Sequence, residues 1–412
     1  MTKQLRNKIP QIRFRGFDDK WEEKPIGKVL TETKRSVVLE DNQRYELVTV
    51  RRRNGGVVSR GYLLGREILV KNYSQLESGD FIISKRQVVH GATGLVPRNL
   101  DKAIVSNEYL VAVGNDKLST EFLTILSSLP DMRQKFFLSS YGVDIEKLFF
   151  DTEDWKKRTV TIPKVSEQTY ISAFFKELDR VIELHQHKHN KLVTLKQAML
   201  QKMFPQDGAT TPEVRFKGFD GDWVEKKLGN LGAAYSGLSG KTKEDFGHGA
   251  GQYVTYMNVF SNTIADSRLT EAVEIDTKQN QVRFGDVFFT VSSETLEEVG
   301  MSSVWLNSSS DTYLNSFCFG FRPVDKIDPY FLAYILRAPD FRKSVVFLGQ
   351  GISRYNISKR KTLGLSIRLP SLPEQQKIGA YLYKLESLIL HHSTQLDKLK
   401  QIKSAFLEKM FV

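Results

Sequence analysis

Apolar residues recur every seven positions through two long stretches of this chain. In residues 167–204 the series is Ile171, Leu178, His185, Leu192 and Met199, with Phe174, Val181 and Leu195 as companions. In residues 374–411 it is Ile378, Leu385, His392, Leu399 and Phe406, with Tyr381, Leu388 and Ile402. A sevenfold row with a second row three or four residues on is the stripe of a coiled coil. Neither Gly nor Pro interrupts the first stretch. At about 1.5 Å per residue, such a helix is about 57 Å long. A single helix of that length would leave its stripe in water, so the two are expected to pack on each other, with His185 meeting His392 near the middle.

Shorter patterns fill the intervals, and they too come in pairs. "SGDFIISKR" (78–86) and "FGDVFFTVS" (284–292) are each a Gly-Asp turn feeding an apolar run, which predicts a strand. "FLTILSSLPDMR" (122–133) and "FLAYILRAPDFR" (331–342) keep helical spacing up to a Pro-Asp break, and "SYGV" (140–143) lies over "GQGI" (349–352). "IRFRGFDDKW" (12–21) returns as "VRFKGFDGDW" (214–223). Arg13, Phe14, Gly16, Phe17, Asp18 and Trp21 reappear 202 positions on as Arg215, Phe216, Gly218, Phe219, Asp220 and Trp223, and Gly27 as Gly229. Pairing of this density is an internal duplication.

The predicted fold class is therefore α+β: two pseudo-twofold-related α/β domains separated by two long antiparallel helices forming a coiled coil. The expected boundaries are 1–160 for the first domain, 161–205 for the first spacer helix, 206–368 for the second domain and 369–412 for the second helix. "FPQDGATTPEV", with Pro205, Gly208 and Pro212, marks the hinge between the halves.

Composition narrows the partner. The chain has 412 residues and a formal charge of +12, from 60 basic and 48 acidic side chains. That balance favours a polyanion, nucleic acid ahead of an anionic membrane. No run of about 18 apolar residues predicts a membrane span, and "MTKQLRNKIPQIRF" has no apolar core of a secretory signal. One cysteine, Cys318, cannot build a disulfide framework and reads as a small core residue; a reducing cytoplasm fits.

Three stretches invite a catalytic reading and fall short of it. "YSGLSGKT" (235–242) has Tyr235 where a phosphate-binding loop needs its first glycine, and no acid-ended strand supplies a magnesium partner. Pro130-Asp131 with Asp154-Trp155-Lys156 has the residue types of a metal-dependent nuclease, but the cognate Pro339-Asp340 has no matching acid and lysine downstream, which leaves a turn after a helix. "HQHKH" (185–189) sets His185 and His189 one helical turn apart, yet zinc needs third and fourth ligands at suitable spacing.

Basic clusters are the stronger signal. Arg51, Arg52, Arg53 and Arg60 surround a Gly-Gly turn, and Lys85 and Arg86 follow a predicted strand. The second half offers Lys241, Lys243, Arg354, Lys359, Arg360 and Lys361. Arginine can read guanine edges with two hydrogen bonds, and either cation can hold phosphate, so these are the candidate DNA-binding residues. The framework segments match between halves while the loops do not: "RRRNGG" lies near "MNVFSN". One scaffold with two loop sets suits a reader of two different short sequences.

The alternation of domain and helix, the two "RF-x-GF" phrases, the Gly-Asp strand turns, "RYNIS" (355 onward with Arg354) and the "EQ" helix openings "VTIPKVSEQTYISAFF" (160–175) and "IRLPSLPEQQKIGAYL" (367–382) together resemble the specificity subunit of type I restriction–modification systems. The resemblance covers essentially the whole chain. It implies that each domain reads one half of a bipartite double-stranded DNA target. The helices would be spacers and a platform for two modification (methyltransferase) subunits and for restriction (endonuclease/translocase) subunits. It implies no catalytic residue, metal or cofactor on this chain; S-adenosylmethionine, ATP and magnesium would be bound by the partners. No two prolines are adjacent, so the Asn/Asp-Pro-Pro-aromatic site of adenine methyltransferases is absent from the sequence. The alternatives are a duplicated-domain nuclease and a coiled-coil scaffold with protein- or carbohydrate-binding ends.

Overall fold

The computed structural model describes residues 9–70 and 72–412; residues 1–8, part of the stretch read for a leader, lie outside them. The chain divides into two compact units. One ends at Leu184 and resumes at Leu396–Val412; the other is His185–Gln395.

The two units use one plan. In the first, a four-stranded antiparallel sheet orders Leu30–Glu32, Tyr109–Gly114, Phe81–Ser84 and Thr93–Leu95. In the second, Gly232–Ser236, Cys318–Pro323, Val287–Thr290 and Ser302–Val304 stand in the same order. Phe81–Ser84 and Val287–Thr290 are buried at every position, as the unbroken apolar runs require. Two helices cover each sheet: Thr120–Ser128 and Pro130–Leu138, then Pro329–Ile335 and Pro339–Phe347. The Pro-Asp pair is not a turn closing a helix. Proline stands at the first turn of the next helix, where its missing N–H costs nothing, and Asp131 and Asp340 face that helix's positive end.

The accessory sheets differ. The first unit adds five strands in the order Ser36–Val37, Tyr73–Gln75, Ile104–Ser106, Arg44–Val50 and Val57–Leu64. The second adds three: Thr270–Val273, Phe246–Val254 and Thr312–Leu314.

The recurring residues are the ones that join each domain to a helix. Arg13 donates through Nε and Nη2 to the two carboxylate oxygens of Glu167, both at 2.7 Å. Arg215 does the same to Glu374 at 2.7 and 2.8 Å. Both glutamates are 1% exposed. The neighbouring glutamines complete the joint. Gln168 donates to the Pro163 and Lys117 carbonyls and accepts the Ser119 N–H, and Ser119 caps the helix 120–128. Gln375 donates to the Pro370 carbonyl and accepts the N–H of Asp328, the cap of the helix 329–335. Gly16 and Gly218 hold φ near +89° and +88°, and Gly79 and Gly285 hold +94° and +86°, where an L side chain is strained. After those last two, Asp80 and Asp286 are buried, accepting from Arg35 and Arg322 at 2.7 Å.

Two helices of 38 residues, Val165–Lys202 and Leu372–Lys409, each give a segment to each unit. In the first unit Phe174 meets Phe406 with ring centres 4.9 Å apart, and Asp179 pairs with Lys403. In the second, His185 Nδ1 lies 3.0 Å from His392 Nδ1, and Lys196 pairs with Glu386 at 2.8 Å. Numbers rise on one helix as they fall on the other, so the segments run antiparallel within each unit. The expected seam needs one correction. Leu195 and Ile402, placed on it by spacing, are 38% and 45% exposed. The buried ends, Ile171 in the first unit and Ile378 and Leu385 in the second, pack into the domain cores, so the apolar stripe follows the domains and drifts off the heptad. Leu192 and Met199 are half-buried against the second core and Phe406 against the first; Leu178 and Leu399 are half-buried.

The end of each helix completes a core. Phe411 packs on Trp21 and Phe122 in the first unit, and Phe204 on Trp223 and Phe331 in the second. Cys318 is buried beside Asn315, and burial pushes its thiol up to about 12, so it is no nucleophile at neutral pH.

Two outcomes follow from these joints. Arg13→Ala or Arg215→Ala leaves a buried carboxylate without its cation, which should lower the stability of that unit by about 3–5 kcal/mol; urea unfolding of the purified chain measures it, and Arg→Lys should recover only part. The His392 imidazolium is disfavoured by burial and by Lys188, His185, His391 and His189. Its folded pKa is depressed, so its contribution is present above the ordinary histidine value of about 6.5 and is lost as pH falls through the folded value. Melting temperatures at pH 7.5 and 5.5 should show a drop that His392→Leu reduces.

Candidate nucleic-acid interface

In each unit the same three segments converge, one from the accessory sheet, one after the Gly-Asp strand, and one after the second covering helix. In the first unit they are 51–56, 85–91 and 141–149. The strands Arg44–Val50 and Val57–Leu64 form a hairpin whose tip is "RRRNGG". Arg53 and Asn54 both sit at positive φ, 58° and 56°, and the Gly55 N–H closes the turn on the Arg52 carbonyl. An arginine in that conformation is uncommon outside turns that need it. Its backbone is tied down: Arg53 and Asn54 N–H groups donate to the His90 and Gly91 carbonyls at 2.7 and 2.9 Å. With the Asn54 amide turned to meet its donors, its oxygen accepts from Arg133 Nη2 at 3.0 Å. The turn is therefore rigid while Arg51, Arg52 and Arg53 point outward, all exposed.

Their neighbours set the charge. Arg52 pairs with Glu146 at 2.8 Å, and His90 Nε2 lies 3.5 Å from the same carboxylate. Arg86 bonds Glu108 at 3.2 Å and stacks 5.1 Å above the Phe149 ring. Lys85 donates to the Asn107 carbonyl. Arg60 stands at a bulge of the edge strand, between the pairs Leu47↔Gly61 and Val48↔Ser59, which aims it away from the regular ladder. Arg60 is thus on the hairpin but apart from the turn.

In the second unit the segments are 256–261, 291–298 and 350–356. A one-and-a-half-turn helix, Tyr256–Ser261, replaces the arginine turn, and Asn258, buried, pins it to the Asp266 and Leu269 carbonyls. Tyr256 donates to the Ser292 carbonyl at 2.7 Å and its ring stacks on Phe260. Ser292–Ser293 pairs with Tyr355–Asn356, which brings Arg354 to the same recess. Two half-buried arginines brace these loops from behind. Arg337 donates to the carbonyls of Val259, Phe260 and Asn262, and Arg342 to those of Glu297, Val299 and Gly300. Burial pulls both down to about 10, so both remain charged at neutral pH. Arg342 holds the framework position of Arg133, so one arginine steadies a loop in each unit.

The basic residues named from the second half scatter. Lys241 is covered and held by Asp276 at 3.1 Å and Asp245 at 3.6 Å. Lys359 donates to Ser236 Oγ at 2.9 Å. Lys243, Arg354, Arg360 and Lys361 are exposed. The segment "YSGLSGKT" leaves a strand edge for a three-residue turn, not a long helix, and Tyr235 is spent on Asp286 at 2.7 Å. Asp154 pairs with Arg158, and Lys156 with Glu32 and Glu153. Among the described residues, no group of three or more His, Cys, Asp or Glu is placed to hold a metal ion. Sequence reasoning passed over His90, Glu146, Tyr256, Met257, Phe260 and Phe317; the mismatch of "RRRNGG" with "MNVFSN" was the available signal, and weighing only cations hid it.

The sequence matches the family described as type I restriction modification DNA specificity domain twice, over residues 18–194 and 220–401. The chain belongs to this family. It carries two specificity domains and is a DNA sequence specificity subunit of a type I restriction–modification system. The fold is similar to the crystal structure of a type I restriction-modification system S subunit from M. genitalium, at 14% identity and a TM-score of 0.59, covering 98% of this chain and 99% of that one. The HsdS subunit from Thermoanaerobacter tengcongensis is also similar, at 21% identity and a TM-score of 0.46, covering 95% and 96%. No curated protein matches the sequence at a significant level. Among the described residues, no helix of this specificity subunit is long and apolar enough to cross a membrane.

Proposed function

We propose that this specificity subunit is a non-catalytic, cytoplasmic reader of a bipartite double-stranded DNA target, with one half-site for each unit. The observation that carries this reading is the pair of convergent sites: three equivalent segments on one frame, with unlike side chains. Two modification subunits would bind S-adenosylmethionine and methylate adenine within the target, and restriction subunits would use ATP and magnesium to cut. The long helices support a docking role. They leave Leu184 and Ile402 exposed in one unit and Leu195 and Leu390 in the other, apolar surface that a partner subunit would cover. Arg51, Arg52, Arg53, Arg60, Lys85 and Arg86 in the first unit, and Lys243, Arg354 and Arg360 in the second, are the cations assigned to DNA, with Arg52, Lys85 and Arg86 exchanging Glu146, Asn107 and Glu108 for it; Lys241 and Lys359 act through the loops they hold.

The purified chain should neither methylate nor cut DNA, and with its modification subunit it should direct methylation at one two-part motif, read by methylome sequencing. Exchanging residues 25–160 for those of a relative should then change one half of the motif and leave the other; a change in both would sink the two-reader assignment. Replacing Arg51, Arg52 and Arg53 together by Ala should weaken binding by about 1–3 kcal/mol for each arginine that reads a base and flatten the salt dependence by about one for each that holds a phosphate. Unchanged affinity and unchanged salt slope would show the turn to be solvated surface.

A further inference from the structure

The two convergent sites differ in chemistry, and the difference has a direction. The first mixes Arg52, Arg53, Arg86 and Glu146 with the exposed Tyr141, Val143, Ile145 and Phe149. At the equivalent place the second offers an apolar recess lined by Tyr256, Met257, Phe260 and Phe317, with Arg354, Glu294 and Glu298 around it. Met257 is 60% exposed and Phe317 62%. Large apolar side chains held in water at a recess mark a binding site more often than a defect. They are also held firmly: Tyr256 bonds Ser292, Asn258 pins the short helix, and the Phe317 N–H donates to Asn315 Oδ1 at 2.9 Å.

We propose that the second unit recognises thymine in its half-site by packing the C5-methyl groups into this recess, with Met257 and Phe317 as the specificity-determining contacts. The proposal rests on the reading of each convergent site as a DNA half-site reader. The thymine methyl is the one apolar group that a base pair displays in the major groove, and it is the natural complement to an apolar side chain there. Charge supports that placement. Arg354 at the rim and Arg360 and Lys361 on the neighbouring short helix can meet phosphates, whereas Glu294 and Glu298 would be repelled by them and suit exposed base amines instead. The carboxylates thus lie toward base edges and the cations toward the backbone. The first unit also exposes Tyr141, Val143, Ile145 and Phe149 on its third segment, but there Arg86 stacks on the Phe149 ring and Arg52 reaches Glu146 between them, so its apolar groups are interleaved with cations.

The test uses the chain assembled with its modification subunits and duplexes carrying its own motif, the half-sites having been assigned by the 25–160 exchange. Thymine is replaced by deoxyuridine, which removes the methyl and keeps every hydrogen-bonding group, in one half-site at a time. Replacement in the second half-site should weaken binding about fourfold for each methyl that the recess holds, and replacement in the first should change it less than twofold. In Met257→Ala and Phe317→Ala complexes, whose changed side chains are exposed and outside the core, the deoxyuridine penalty should shrink toward none. A second half-site without a T·A pair, an equal penalty in both half-sites, or a penalty that the two variants leave unchanged would overturn the proposal while the two-reader assignment stands. A complex with no sequence-specific binding would overturn both.

Discussion

A guanidinium closed on a buried carboxylate, made twice, holds this protein together. Arg13 on Glu167 and Arg215 on Glu374 each take a charge that would be intolerable alone in the interior and satisfy both of its oxygens at 2.7–2.8 Å. The fork lies where the domain's opening segment meets the first turn of the long helix. The adjoining Gln168 and Gln375 bind the caps of the covering helices, so strand, cap and long helix are registered to one another by two consecutive side chains. A lysine would supply the charge without the planar two-point geometry.

The residues of that joint were legible in the sequence as repeats, although their pairing was not. Arg13, Gly16, Trp21, Glu167 and Gln168 each fill a place that few other residues could, and each recurs in the second half. The Gly-Asp strands were legible for the same reason, since a left-handed turn and a buried aspartate leave few substitutes. The candidate interface was only half legible. Charge pointed to Arg52, Arg53 and Arg86, but Lys241 carries the same charge and is absorbed by Asp276 and Asp245, acids more than thirty positions away in one case and unseen without the fold. An apolar reading surface was harder still, because Met257 and Phe317 look like core residues until their exposure is known. The heptad pattern overreached at Leu195 and Ile402, where packing against a domain, not against a second helix, decides which face is covered.

The framework and the loops therefore obey different rules. Framework residues such as Arg133 and Arg342 reach into loops that share no sequence, steadying Asn54 in one unit and the carbonyls of 297–300 in the other. The backbone of each reading surface is held by residues outside it, which leaves the outward side chains free to differ.

The placement of Phe204 and Phe411 bears on how the chain is made. The second unit is one uninterrupted run, His185–Gln395, and its core aromatic Phe204 is already in place before Trp223 is synthesised. The first unit needs Met410 and Phe411 to close its core over Trp21 and Phe122. On the ribosome, then, the portion translated first is the portion completed last. Until residues 185–411 have been delivered, Trp21 and Phe122 lack the Phe411 ring that packs against both, so the first unit's core stays incomplete for more than half of the chain's synthesis.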